Sequence, residues 1–284
     1  GIILALIFLK PFTALVLGTS PVVVRQVANA HTLFNVLNTI IIFPFFKYFV
    51  AFVQWAVPGE EPALDLGAKY LDKRMLKAPV AAIEASRMEL IRMANISREM
   101  VKGAMDIFYK GNLKNLPQIL QMEELVDGLE KEIVMYLREL SQHSLNHHQS
   151  TVISAVMSAA NDLERIGDHA CNIVYLSEMV IEDKLPVTAM AKEEMYSFFL
   201  EVDGMLKEAV AALMGENTKA ARKVIQWDNI VDERERILRK NHIDRVNRRE
   251  CLPQAGVIYL DLLSNLERVG DHAVNLAQMI IDGL

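Results

Sequence analysis

One octapeptide of this chain occurs twice. Leu163-Glu164-Arg165-Ile166-Gly167-Asp168-His169-Ala170 returns 103 residues later as Leu266-Glu267-Arg268-Val269-Gly270-Asp271-His272-Ala273, with Ile166 replaced by Val269. Asn172 recurs as Asn275. Such a match marks an internal duplication, so the fold must be built from two copies of one unit. Each copy sets two carboxylates four residues apart, Glu164 with Asp168 and Glu267 with Asp271. On a helix that spacing puts both on one face, about 6 Å apart.

The unit contains a second acidic pair. Glu123 and Asp127 precede the first octapeptide, and Asp228 and Asp232 precede the second. The midpoint of Asp127 and Glu164 is 145.5, and so is that of Glu123 and Asp168. It falls in the polar stretch Ser141 to Ser150, which holds His143, His147 and His148. Asp232 with Glu267 and Asp228 with Asp271 both give 249.5, beside Cys251-Leu252-Pro253. Antiparallel hairpins folded at those points bring the four acids of each unit to one height, roughly 28 Å from the turn.

Four carboxylates at one height repel unless something neutralises them. Arg165 and Arg268 are each beside a Glu and can pair with them. Alternatively, acid-rich sites on facing bundle helices hold iron, manganese or other hard cations. His169 and His272 stand about 140° round the helix from Glu164 and Glu267, off the acidic face, and suit a structural role as well. Gly167 and Gly270 each cost a helix about 1 kcal/mol relative to Ala, and repetition of that cost points to a close backbone approach, for helix packing, the blander cause, or to make room for a ligand.

Apolar residues recur at three- and four-residue steps from Pro79 onward, as in Leu90, Met93, Met100, Ala104 and Ile107. Helices are expected from Pro79 to the Gly111-Asn112 stop, then over about 116–140, 151–182, 189–214, 218–247 and 254–281. No alternating strand pattern persists. The 14 methionines at helical spacing read as core filler. Cys171 and Cys251 suggest no disulfide framework.

The first 57 residues differ in character. They contain Lys10, Arg25 and Lys47 and no acid, whereas the whole chain carries −6. Leu33 to Val57 is long enough to cross a bilayer, and Pro58-Gly59-Glu60-Glu61-Pro62 ends it. Lys69, Lys73, Arg74 and Lys77 follow, which by the positive-inside tendency places the acidic part in the cytoplasm at the inner membrane. Residue 1 is Gly inside an apolar run, so the chain is expected to be part of a longer protein. The acidic balance argues against nucleic acid as a partner. The expected class is all-α. The end of a helical membrane domain spans 1–57, a linker 58–79, and two tandem three-helix bundles 80–186 and 187–284.

The duplicated six-helix plan and the repeated acid pairs resemble the PhoU-like domains, which regulate phosphate uptake. The resemblance covers about residues 80–284. It implies multinuclear iron or zinc clusters held by Glu123, Asp127, Glu164 and Asp168, and by Asp228, Asp232, Glu267 and Asp271. Ala28-Asn29-Ala30-His31-Thr32-Leu33-Phe34-Asn35 is similar to an element of the sodium/phosphate cotransporter family, matching it at His31, Phe34 and Asn35. Tyr70 to Pro79 resembles the connector of bacterial members that carry a C-terminal PhoU-like domain. Together these imply a multi-pass sodium-dependent phosphate symporter whose cytoplasmic domain regulates it. Phosphate and sodium would be the ions of the whole protein. The Gln-Ser-Ser motifs tied to substrate and sodium in that family are absent here. They lie upstream or the protein lacks them, and this stretch alone is not expected to transport.

A second reading is a membrane-anchored helical module that recruits a partner, such as a sensor kinase, without metal. Self-association is compatible with either. A di-metal carboxylate enzyme is disfavoured because no Glu-x-x-His falls within the acidic motifs. No nucleophile–base constellation, Gly-rich phosphate loop or HExxH is present, so no enzyme activity is expected.

Overall fold

The computed structural model describes residues 9–45, 47–48, 67–215 and 217–282. The chain divides into two compact units, Gly1–Ala63 and Leu64–Leu284. In the first, α1 (Leu9–Leu17) is followed by α2 (Val23–Ile42) and a 3-10 turn, Phe43–Phe45. Val23–Phe45 is apolar and long enough to cross a membrane, and its hydrophobic side chains are not buried. The helix that overlaps the expected span Leu33–Val57 starts ten residues before it, and the end of that expected span lies outside the described residues. The polar residues Gln26, Asn29 and His31 do not delay the helix. Gln26 and Asn29 instead tie it to the preceding turn, at Ser20 O (2.7 Å) and Thr19 Oγ1 (3.1 Å). His31 and Asn35 stand one turn apart on this helix, 3.5 Å from one another.

In the second unit six helices follow: α3 (Pro79–Lys110), α4 (Leu116–Leu140), α5 (His147–Glu182), α6 (Ala189–Gly215), α7 (Thr218–Asn247) and α8 (Pro253–Ile281). Their ends obey local chemistry. Proline opens α3, α4 and α8 within the first turn, where its missing N–H is not needed. Gly111, at φ 67°, takes the left-handed turn that ends α3. Helix α5 begins at His147, four residues before the expected start. Asn146 accepts from Gln149 N while the Gln149 side chain accepts from Asn146 N, a capping box inside what reads as a polar turn.

Helices α3, α4 and α5 pack together, as do α6, α7 and α8. The two triplets are not separate bodies. Helix α3 packs on α6 and α5 on α8, and one hydrophobic core runs through both repeats. Met100, Leu129 and Ile166 fill one side, and Phe198, Met205 and Leu266 the other. Across the α3–α6 contact, Arg98 grips Asp203 with two hydrogen bonds of 2.7 and 2.8 Å. These residues occupy equivalent places in the two repeats, so an approximate two-fold axis passes between them.

The glycines of the octapeptide are buried against matching neighbours, but no clash forces them. A Cβ on Gly167 would lie 3.5 Å from Met100 and Val126, and one on Gly270 would lie 3.7 Å from Val231 and 3.9 Å from Met205. Ordinary van der Waals contact of this kind leaves room for alanine, so the close-packing expectation fails at both positions.

Half of the expected linker folds onto the body. Residues 67–78 form a strap with a 3-10 turn at Lys73–Lys77, and Leu76 is buried. Glu89, fully buried on α3, accepts from the amides of Lys69 (2.7 Å) and Tyr70 (2.8 Å). Arg92 bonds Glu89 and the Gly67 carbonyl, Glu132 accepts from Ala68 N, and Tyr136 donates to the Asp72 carbonyl. Leu125 of repeat 1 is 1% exposed, whereas its counterpart Ile230 is 61% exposed.

Candidate metal centres

Helices α4 and α5 carry the acids of repeat 1, and α7 and α8 those of repeat 2. The hairpin arithmetic describes how they meet. Glu123 feels Asp127 and Asp168, and Glu164 feels Asp168 and Asp127. Asp228 feels Asp232 and Asp271, and Glu267 feels Asp271 and Asp232. Burial, and then this mutual repulsion, raises the carboxyl groups of Glu123, Glu164, Asp228, Glu267 and Asp271 above their usual range.

The two clusters are neutralised differently. In repeat 1 Arg165 lies 3.6 Å from Glu164 Oε2 and 3.4 Å from Asp168 Oδ2, and Lys131 lies 3.7 Å from Asp127. These are ion pairs at long range. Glu164 Oε2 is buried and still has no hydrogen-bond partner. In repeat 2 no Lys or Arg forms an ion pair with the four acids among the described residues. Arg268, the counterpart of Arg165, acts on Glu267 and Asp271 only from further away. Asp228, Asp232 and Asp271 each place one oxygen so that all three lie within 4.8 Å of one another. Asp228 and Asp271 line an open groove of about 500 Å³ with Glu267, Arg268 and His272.

Cys171 sits near the repeat 1 acids. Burial first, then Glu123, Asp168 and Asp127, push its thiol up to about 12, so it stays protonated there.

The two histidines meet at the seam between repeats, although His272 also lines the groove of the repeat 2 acids. His169 Nδ1 lies 2.9 Å from Asn265 Oδ1, and His272 Nδ1 lies 2.8 Å from Asp162 Oδ1. Asn275 also donates to Asp162, at 2.9 Å. Along α5 these contacts run from 162 to 169 while on α8 they run from 275 back to 265, so the helices cross antiparallel. Asp162 and Asn265 are equivalent positions, 103 residues apart, directly before the octapeptides. That offset was the available signal for them, but their roles depend on a crossing that periodicity does not reveal. Of the other predicted residues, His31 and Asn35 are exposed and Phe34 is half-buried in the first unit.

A family model, the PhoU domain, matches residues 90–176 and 197–280, each stretch inside one repeat. The phosphate-specific transport system accessory protein PhoU homolog 1 of Thermotoga maritima is 25% identical over 197 residues, covering 69% of this chain and 84% of that protein. A PhoU homolog of Xylella fastidiosa is 27% identical over 201 residues, covering 68% and 79%. The crystal structure of PhoU from Pseudomonas aeruginosa superimposes with a TM-score of 0.64 at 22% identity, covering 72% of this chain and 97% of that one. The phosphate transport system regulatory protein PhoU of Streptococcus pneumoniae gives 0.63 at 19% identity, covering 72% and 95%. These structures share the all-α six-helix architecture described above.

Proposed function

The chain belongs to the PhoU domain family, and on that premise we propose that its helical body is a regulatory accessory of phosphate uptake whose acidic clusters hold metal ions. The names of the relatives support the phosphate part of this reading. The metal part is carried by one observation. In repeat 2 three aspartates from two helices converge within 4.8 Å, and among the described residues no Lys or Arg forms an ion pair with them. The orphaned Glu164 Oε2 supports the same reading in repeat 1.

The donors are carboxylate oxygens alone. Such a set suits hard and intermediate cations, iron better than zinc. Glu123, Asp127, Glu164 and Asp168 would hold the metal in one repeat, and Asp228, Asp232, Glu267 and Asp271 in the other. A bound cation supplies the positive charge that lets each hairpin close without carboxylate repulsion. Loading would then bias helix packing, and through it the regulated partner.

Metal content measured on the purified chain tests this, beside a variant with Glu164, Asp168, Glu267 and Asp271 changed to Ala. The expected result is stoichiometric iron or zinc in the parent, lost in the variant while the helical circular dichroism signal persists. A folded, metal-free parent would leave the metal-free interaction module as the better reading.

The first unit favours a further step. Val23–Phe45 has the length and apolar surface of a membrane span. With the resemblances at His31, Phe34 and Asn35 and over Tyr70–Pro79, it supports reading the whole as the C-terminal portion of a sodium-dependent phosphate symporter. Its helical body would then be cytoplasmic. Fractionation with protease protection in inverted and right-side-out vesicles tests this. Recovery of the intact chain in the soluble fraction would overturn it.

A further inference from the structure

The histidines of the duplicated octapeptide take no part in the acidic clusters, yet they meet. Their ring centroids lie 5.7 Å apart, and the planes are tilted by 31°. Both are held in one manner, by an oxygen of the opposite repeat at Nδ1. Asn265 donates its own Nδ2 to the Asp261 carbonyl, so its Oδ1 is the atom facing His169 and can only accept. Asp162, which accepts from Asn275, is likewise an acceptor toward His272. Nδ1 therefore carries the proton in each ring, and in the neutral form Nε2 keeps its lone pair. Neither Nε2 has a hydrogen-bond partner among the described residues.

An imidazole held at Nδ1–H by a carboxylate or amide oxygen, with a free Nε2, is how proteins commonly present histidine to a metal. The spacing agrees. Bonds of about 2.0–2.1 Å to a tetrahedral centre set two imidazole centroids roughly 5 Å apart. Solvent reaches the pair from both sides. His169 lines a groove with Asn172, Asn265 and Arg268, and His272 lines the groove of the repeat 2 acids. Arg268 opposes a cation there, and Asp162 and Asp168 favour one. Nitrogen donors select borderline cations such as copper and zinc over harder ones.

We propose that His169 and His272 form a second kind of metal site, in which a borderline divalent cation is held by one imidazole from each repeat and completed by water. The site shares no ligand with the acidic clusters. Its ligands come from both halves of the duplication, so its occupancy resists their separation.

Divalent copper is the probe, added to the full chain after chelation of resident metal and read by electron paramagnetic resonance. The expected spectrum of the parent shows hyperfine coupling to two nitrogens. His272→Gln leaves one nitrogen, and His169→Gln with His272→Gln leaves none. Asn275→Ala, which alters a neighbour and no ligand, keeps both. Zinc is expected to raise the melting temperature of the parent by more than that of the double variant, in which only the acidic clusters remain to bind it. A parent spectrum with oxygen ligands only overturns the proposal and makes the histidines hydrogen-bond latches. Two-nitrogen coupling that survives in the double variant also overturns it, because the copper would then sit on His143, His147 and His148 of the α4–α5 turn.

Discussion

Repeat 1 and repeat 2 carry the same octapeptide and the same acid spacing, but they solve the same electrostatic problem differently. In repeat 1 Arg165 folds back on Glu164 and Asp168, and Lys131 sits by Asp127. In repeat 2 Arg268 lines the groove beside His169, and three aspartates face one another without an ion pair. The surroundings differ too. A strap covers α4 and is anchored by buried Glu89, whereas the matching face of α7 is bare. In place of a strap, Glu194, the counterpart of Glu89, takes two hydrogen bonds from Arg245, at 3.0 and 2.7 Å. Duplication copies the ligand set, but the neighbours that set its charge diverge freely. Repeat 2 is therefore the repeat with more to gain from a cation.

The strap gives the largest expected effect. Glu89→Ala removes the buried carboxylate that binds Arg92 and frees two strap amides, which should destabilise the chain by about 3 kcal/mol in denaturant unfolding. Limited proteolysis should then cut within residues 67–78. Glu194→Ala should be similarly destabilising but leave the strap protected, and a cut strap in that variant would break the distinction between the repeats.

Metal affinity comes next. Asp271→Asn should weaken the tighter class of site by about tenfold, or about 1.4 kcal/mol, in competition titrations. Asp168→Asn should have a smaller effect, because Arg165 already satisfies part of that charge. Arg165→Ala should tighten repeat 1 toward the affinity of repeat 2. Equal responses in both repeats would show that the arginine positions do not matter.

A weaker effect is expected with pH. Glu267 and Asp271 have raised carboxyl groups, through burial first and then neighbouring carboxylates. The folded chain therefore keeps protons that the unfolded chain releases. The metal-free protein should be more stable at the acid end of the carboxylate range and lose stability as pH rises through the raised folded values. Glu267→Gln with Asp271→Asn should flatten this dependence more than Glu164→Gln with Asp168→Asn, in melting curves recorded across that range. The smallest effect should come from Gly167→Ala and Gly270→Ala. Each gains helix propensity without a clash, so a stabilisation of up to about 1 kcal/mol is expected, equal in the two repeats.

Periodicity and stop signals made the six helices of the body legible, because apolar steps of three and four report a buried stripe directly. The register of the acids was legible because two independent pairs share one midpoint in each hairpin. Other features were hidden for physical reasons. The start of α5 was missed because Asn146, His147 and His148 look like a turn, and only the Asn146–Gln149 pairing reveals a cap. The different fates of Arg165 and Arg268 cannot be read from octapeptides that differ only at Ile166 and Val269. The strap looked like a linker because its anchors, Glu89, Glu132 and Tyr136, lie far away in sequence. Gly167 and Gly270 misled, since recurrence of a glycine does not show that a side chain would collide.

Arg98 and Asp203 have a consequence for the history of the chain. In a symmetric dimer of single repeats, a residue on the two-fold axis meets its own copy. There an arginine would face an arginine, or an aspartate an aspartate. Only once the two copies differ in sequence can the two positions take opposite charges and close on each other. Once they did, neither half could return to self-pairing without setting like charges face to face. Each half therefore fits the other better at this contact than it would fit a second copy of itself.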